Sequence, residues 1–515
     1  MFHKRLLQTI RFLVQEAEIL FQGLCFMAII PPLVVLSSIP ILIYRWLLSL
    51  FTKYFCSSSF GELVNSTTNV YTSEFLPWHT PKGARCTIVV TLKLDGILPF
   101  QRIYNLMKTK WFCKPSNYPE FQQYIEFFMG FFFWKWEKDF KLENHLKIYR
   151  LKATSEEGVD EELRNFAEHQ LNKPFIPKLS PWEGFVIHEK SVDKTYLIFR
   201  YHHGLADGFS SMNAFIEGLG GTSFSSLALP SPKNTEYGLT KNRFFTFFSF
   251  PFRLWIEFSH VLALTRASET PWHVPDEKKA WKQLYERTKP MPIQHIKEIK
   301  NRLGVTFTGV ILSCFSAAIS KSVVAKKETG LWRKPAPDSI PILTILPLKH
   351  EPNKLGNNLT GAVLQLPIKI GMKPMERLEN VEKLLENAKK STLPAIYNFV
   401  MKIIGSHFAP VATYLTNNRY FPVGFTNFPG PAVKVELGGK TIVSADFTVG
   451  GQVGIAGLNF MVISFRGSIR IAVAAEKAAM SREELKELVK AITDELEEFN
   501  RISRKNIVSG GNNND

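Results

Sequence analysis

The sequence predicts a two-lobed α/β protein held at a membrane by its N-terminus, and three observations carry that expectation. The chain has 515 residues, 45% of them hydrophobic, which is more apolar material than one core takes up, since single cores stop growing near about 250–300 residues. Runs of β-branched residues alternate with segments of helical spacing along most of its length. Near the start, the stretch Ile19–Tyr44, ILFQGLCFMAIIPPLVVLSSIPILIY, contains no charged side chain.

That stretch of 26 residues would span roughly 39 Å as a helix, enough for a hydrocarbon core of about 30 Å. It is longer and bulkier than the apolar core of a cleaved signal peptide and runs into Tyr44, Arg45 and Trp46, an interfacial anchor pattern. Residues 1–55 are therefore expected to be a retained membrane anchor. Pro31, Pro32 and Pro40 leave open a straight helix or a re-entrant hairpin, and basic residues on both flanks (Lys4, Arg5, Arg11; Arg45, Lys53) leave its orientation open.

The formal net charge is +17. With no basic block and no nucleic-acid-binding motif, a membrane surface or a phosphorylated co-substrate is the expected partner rather than nucleic acid. Cys25, Cys56, Cys86, Cys113 and Cys314 are scattered and show neither a disulfide framework nor metal-ligand spacing. A reducing compartment and no metal follow as expectations. Sequons at Asn65 and Asn358 are weak evidence against that compartment; a glycan on Asn65 would overturn it.

Taken in order, Cys86–Leu94 reads as a strand and Leu98–Lys108 as a helix, and together they open an N-terminal lobe over residues 85–222. The aromatic cluster Phe127–Trp136 (FFMGFFFWKW) is either core or an apolar patch that needs a lipid or acyl partner. Thr195–Tyr201 is a strand and Phe209–Leu219 a short helix. Residues 223–280 form the expected linker. Within it the aromatic segment Phe244–Phe252, flanked by Arg243 and Arg253, suits either a membrane interface or packing between lobes. A C-terminal lobe over residues 281–503 has strands at Ile340–Leu348, Val363–Ile370, Ile442–Phe447, Asn459–Phe465 and Ser468–Ala475. Its last helix starts at a capping box, Ser481 with Glu484, and shows an apolar stripe of Leu485, Leu488, Val489, Ile492, Leu496 and Phe499. Residues 504–515 read as a disordered tail.

Chemistry concentrates in Phe199–Gly208, FRYHHGLADG, between a predicted strand and a predicted helix. A histidine near its ordinary pKa of about 6.5 is the side chain best suited to take a proton from a hydroxyl or thiol at neutral pH. Asp207, four residues after His203, can fold back to hold the ring or lock the loop. Gly208 would permit the turn, and Gly204 would relieve crowding beside the ring. The bland alternative is a pair of hydrogen-bonded loop histidines with Asp207 capping the next helix, since Asp is a favoured N-cap.

HHGLADG, His202–Gly208, resembles the HHxxxDG motif of acyltransferases with the chloramphenicol acetyltransferase-like fold. The flanks are similar to the wax ester synthase/diacylglycerol acyltransferase family in particular. EKDFKLENHL (Glu137–Leu146), LSPWE (Leu179–Glu183), LGNNL (Leu355–Leu359), PMERL (Pro374–Leu378), TNFPGP (Thr426–Pro431) and GLNFMVISFRGSIRIAV (Gly457–Val473) resemble its elements in order. Two features depart from the family's pattern. GVTFTGV (Gly304–Val310) has Thr308 and Gly309 where an Asn-Asp pair is usual, and the N-terminal anchor is absent from the bacterial pattern.

The resemblance implies two lobes with an active-site tunnel between them and an O-acyltransferase that uses acyl-CoA as co-substrate, with no permanently bound cofactor. It implies that His203 is the general base, that His202 has a positioning role and that Asp207 holds the loop, with Gly204 and Gly208 as support. Asn357, Asn358 and Asn427 become candidates for packing or substrate orientation, and Thr306 or Thr308 for a hydroxyl near the developing oxyanion; Trp182 is expected in the core. No Gly-x-Ser-x-Gly elbow is present to form an acyl-enzyme. With the anchor, a fatty alcohol or diacylglycerol is the expected acceptor at the cytosolic face of the endoplasmic reticulum. A transferase of the same fold with another acceptor, or a non-catalytic lipid-binding protein, are the rivals.

Overall fold

The computed structural model describes residues 36–78, 83–113, 116, 118–220, 255–257, 259, 269–348, 354–451 and 454–510, with isolated positions before residue 36. The predicted linker segment Phe244–Phe252, and half of the apolar run Ile19–Tyr44, lie outside the described residues.

Helix α1 covers residues 36–55, followed by β1 (Phe60–Leu63) and the short helix α2 (Ser66–Asn69). The N-terminal lobe then runs through β2 (Thr87–Asp95), α3 (Phe100–Lys110), β3 (Gln123–Phe128), β4 (Phe131–Trp136), β5 (Leu146–Tyr149), α4 (Glu156–Asn172), β6 (Trp182–Glu189), β7 (Lys194–His202) and α5 (Gly208–Asn213). The C-terminal half opens with β8 (Gln283–Arg287), β9 (Met291–Pro292), α6 (Ile293–Leu303), α7 (Phe307–Glu328), β10 (Ser339–Pro347) and β11 (Leu359–Pro367). Next come α8 (Pro374–Lys390), α9 (Leu393–Ser406), α10 (Ala409–Thr416), β12 (Val423–Pro429), β13 (Glu436–Leu437), β14 (Lys440–Gly450), β15 (Leu458–Phe465), β16 (Ser468–Glu476) and α11 (Arg482–Gly510).

Two sheets carry the lobes. The first has the order β13-β14-β2-β7-β6-β5, and the second β11-β10-β12-β15-β16-β8 with β9 beside β16. Strand β14 comes from the C-terminal half yet pairs antiparallel with β2 from Ile442↔Leu94 to Gly450↔Thr87. The two halves of the sequence therefore do not map one to one onto the two sheets, and the predicted boundary near residue 281 is crossed by this strand. Near-continuous apolar strands explain the arrangement: β7 is buried along almost its whole length, as expected for a central strand covered on both faces.

Two main cores form, one shared between the first sheet and the facing side of the second, through Phe428, Met461, Ile463 and Ala472, and one between the second sheet and its helices. Trp111, fully buried, anchors the first among Phe121, Trp182, Phe199 and Phe215, so Trp182 is a core residue whose indole N–H donates to Phe121 O at 2.9 Å. Helices α7 and α11 line the second. The capping box forms, with Ser481 N donating to Glu484 Oε2 at 2.6 Å and Glu484 N to Ser481 Oγ at 3.2 Å, and all six stripe residues of α11 are buried. That helix extends to Gly510, past the point where tail composition predicts disorder.

The aromatic cluster Phe127–Trp136 forms the β3–β4 hairpin, which joins β1 in a three-stranded sheet. Phe131, Phe132 and Phe133 are buried there, and Leu48, Tyr44 and Ile41 of α1 pack on Phe131 and Phe133. Among the described residues one helix, α7, is long and apolar enough to cross a membrane, and most of it is buried in the C-terminal lobe. The five cysteines are free.

Candidate active site

The motif loop leaves the end of β7, where His202 pairs with Thr87 of β2, and enters α5. Its shape is set from three directions. Asp207 caps α5, its Oδ1 accepting from Phe209 N at 3.1 Å and Ser210 N at 2.9 Å. Its other oxygen accepts from Asn358 N at 2.9 Å, and Gly356 O accepts from Asp207 N at 3.0 Å and Ser210 Oγ at 2.8 Å. The capping role and the loop-locking role are thus played by one carboxylate, and the second ties the N-terminal lobe to residues 356–358. Asn357 adds to this tie: its Nδ2 donates to His203 O at 2.8 Å and to Thr68 Oγ1 at 3.3 Å, while its own carbonyl accepts from Thr67 Oγ1 at 2.6 Å.

His203 donates its backbone N–H to Cys86 O at 2.6 Å, and its ring stacks on Tyr71 with centroids 4.3 Å apart and planes 13° from parallel. Ring Nδ1 is enclosed by protein, which leaves Nε2 as the nitrogen for the cavity that His203 lines. Burial pushes His203 below the ordinary imidazole value, with the Asp207 charge, its own carbonyl and the Asn357 side chain pulling back. A neutral ring able to accept a proton results.

His202 points the other way, into protein. Its Nδ1 accepts from Gly204 N at 2.9 Å, so its proton sits on Nε2, 3.3 Å from Glu74 Oε1. Burial, with His203 and Arg200 nearby, pushes His202 down to about 3, and burial pushes Glu74 up to about 8. Both groups are neutral at pH 7, and their contact is a polar one rather than an ion pair. A Cβ on Gly204 would lie 2.8 Å from His202 Nδ1, so that glycine does relieve crowding, beside the first histidine of the pair. Gly208 is outside the left-handed region, so no turn there requires glycine, and a Cβ would make an ordinary contact with Phe428 at 3.4 Å.

The cavity lies between the two sheets, with a volume of about 320 Å³ and walls that are mostly apolar, in the range of small-molecule sites. Ile88, Val90 and Phe447 come from the first sheet, Phe425, Phe460 and Met461 from the second. Asn427 also lines it. Thr306 and Thr308 do not. Thr306 caps α7, its Oγ1 accepting from Gly309 N at 3.0 Å and donating to Glu382 Oε1 at 2.7 Å. At Gly309 the Glu382 carboxylate occupies the space beside the backbone: a Cβ there would meet its Oε1 at 1.7 Å, so the carboxylate would have to shift. Tyr71, Glu74, Tyr397 and Asn459 escape sequence reasoning. The first two sit in a stretch, NSTTNVYTSEF, where Asn65 serves as an N-cap; Tyr397 lines the cavity from outside any motif, and Asn459 lines it from within the Gly457–Val473 element, where nothing singles it out.

Comparison with known proteins bears on the fold and on the C-terminal domain. Residues 355–500 match the WS/DGAT C-terminal domain model. A search of curated proteins returns no match. Among solved structures, the wax ester synthase/diacylglycerol acyltransferase of Marinobacter aquaeolei VT8 superposes with TM-score 0.57 at 15% identity, covering 86% of this chain and 99% of that one. A trichothecene 15-O-acetyltransferase from Fusarium sporotrichioides gives TM-score 0.55 at 13% identity, covering 85% and 95%. A variant of the starter condensation domain of rhizomide synthetase, in complex with C8-CoA, gives 0.54 at 11% identity, covering 88% and 97%. At these identities the superpositions speak for the fold, and the domain match speaks for residues 355–500. The chain thus carries a WS/DGAT C-terminal domain on the two-lobed fold that it shares with a wax ester synthase/diacylglycerol acyltransferase and with condensation domains.

Proposed function

We propose that the protein transfers a long-chain acyl group from acyl-CoA to a lipidic alcohol, either a fatty alcohol to give a wax ester or diacylglycerol to give triacylglycerol. The observation that carries this reading is His203: a neutral histidine ring, held by Tyr71 and a locked loop, at the wall of an apolar cavity between two lobes. His203 Nε2 takes the proton of the acceptor hydroxyl while its oxygen attacks the thioester carbonyl. The carbon–sulfur bond breaks, and coenzyme A leaves as the thiol with the proton that the ring returns. An apolar wall suits the acyl chain and a lipidic acceptor, and the rhizomide synthetase condensation domain, which has the same fold, forms a complex with C8-CoA.

Membrane retention by residues 1–55, with the lobes on the cytosolic side of the endoplasmic reticulum, belongs to the same proposal. It is supported by the uncharged run and by the free cysteines. The test is release of coenzyme A thiol from palmitoyl-CoA, with hexadecanol or diacylglycerol as acceptor. Acceptor-dependent release is expected, and His203→Ala should lower it by about 10²- to 10⁴-fold with an unchanged circular dichroism spectrum. Normal turnover in folded His203→Ala protein would remove the base.

A further inference from the structure

Only two of the residues that line the cavity are exposed, Leu415 at the end of α10 and Tyr420 just beyond it. Among the described residues, then, the cavity opens beside the α9–α10 hairpin. The surface around that opening is apolar. Phe399 of α9 is 64% exposed and Tyr414 of α10 64% exposed, and Val400 and Val411 are exposed beside them. None of these four lines the cavity, so its own walls do not account for them.

The hairpin continues into α1. Ser38 Oγ lies 3.4 Å from His407 Nε2, and Tyr44 packs on Phe408 with ring centroids 6.0 Å apart; both partners are in the turn that joins α9 to α10. While α1 buries Ile41, Tyr44 and Leu48 on this side, it leaves Leu42, Trp46, Leu47, Tyr54 and Phe55 exposed. Residues 36–55, 393–406 and 409–416 contain no acidic residue, and their charges are Arg45, Lys53 and Lys402. Arg419, at the cavity mouth, lies over the Tyr414 ring at 4.5 Å. Exposed aromatics edged by cations, with no anion among them, are the pattern of a membrane interface and complement the negative potential of a cytosolic leaflet. The uncharged sequence from Ile19 leads directly into α1.

We propose that the α9–α10 hairpin and the outer face of α1 together seat in a lipid bilayer, so that the cavity opens into the membrane and the lipidic acceptor enters from the side without crossing water. This deepens the proposed function and rests on it for the identity of the cargo. The seating itself does not depend on turnover. The hairpin is also tied to the site, since Asn69 Nδ2 donates to Gly405 O at 2.8 Å, and Asn69 stands close in the chain to Tyr71.

The first measurement uses the full chain with Cys25, Cys56 and Cys113 replaced by serine and one fluorophore at Tyr414→Cys, bound to vesicles of phosphatidylcholine and phosphatidylserine. A blue-shifted emission, quenched by lipid-borne nitroxide, is expected at position 414 and not at a Glu487→Cys control on α11. Water-like emission at 414 on vesicle-bound protein would overturn the proposal. So would a shift that follows protein concentration without lipid, which would assign the face to a second copy of the chain. The second measurement is turnover of Phe399→Glu/Tyr414→Glu. Each charge costs a few kcal/mol in the bilayer, so activity on vesicle-borne hexadecanol should fall by at least about tenfold, while activity on hexanol in solution stays within about twofold. Equal loss on both acceptors would overturn the membrane route. Absence of turnover by the unmodified protein on any alcohol would instead sink the acyltransferase chemistry and leave the fluorescence result standing.

Discussion

His203 is acted on by burial, which lowers its pKa, and by the Asp207 carboxylate, which raises it. Because burial wins, the ring stays neutral below the ordinary imidazole value of 6.5, and the acid limb of kcat/KM against pH should fall below that point. Replacing Asp207 with Asn removes the charge that favours the imidazolium, so the limb should move to still lower pH; a limb that moves up, measured by coenzyme A release across pH, would contradict the placement of that charge. Tyr71 acts on the same ring by contact rather than by charge. The stacked pair fixes the imidazole plane, and misplacing a reacting group by an ångström costs up to about a hundredfold. Tyr71→Leu should therefore lower kcat by about tenfold or more with KM for acyl-CoA little changed, while Tyr71→Phe, which keeps the stack, should retain most of the activity. Equal loss in both would transfer the role to the hydroxyl.

At the scale of elements, the caps separate structural threonines from catalytic ones. Thr306 satisfies the first turn of α7 and bonds Glu382, so Thr306→Val should cost about 1 kcal/mol of stability in a denaturant titration and leave kcat unchanged; a selective loss of kcat would return Thr306 to the reaction. The same distinction explains what is legible in the sequence. Strands β2, β7, β10, β15 and β16 are readable because β-branched runs bounded by turn residues have few other solutions, and the start of α11 is readable because its capping box is a local signal. The motif His202–Gly208 is readable as a strand-to-helix loop for the same reason. What supports it is not: Asn357 and Tyr71 reach His203 from distant parts of the chain, and no local pattern encodes a contact between distant segments. Thr306 and Thr308 are candidates in the sequence because of where an Asn-Asp pair lies in the family, while their position away from the cavity, with the Thr306 hydroxyl bonded to Gly309 N and Glu382, is a tertiary fact.

At the scale of the molecule, β14 is what makes two lobes into one unit. It pairs with β2 in the first sheet and packs against β15 and β16 of the second, so the first sheet cannot be completed without the chain that builds the second. Asp446, on this strand and almost fully enclosed, accepts from Tyr285 Oη at 2.8 Å and Arg287 Nη1 at 2.5 Å and lies 3.3 Å from Arg470 Nη1. These cations hold its carboxyl below the ordinary range against the opposing effect of burial. A buried pair of this kind adds little net stability over an apolar substitute, but removing one partner leaves an uncompensated charge and costs about 3–5 kcal/mol. Asp446→Ala should therefore destabilise both lobes together. With the cavity formed between the sheets, thermal unfolding followed by tryptophan fluorescence and by circular dichroism should give coincident transitions, shifted down together in the variant. Two resolved transitions, with only one moved by the substitution, would mean that each sheet folds on its own and that β14 is an exchangeable edge. The cavity could then widen by separation of the lobes, a route for substrate that a shared strand otherwise closes.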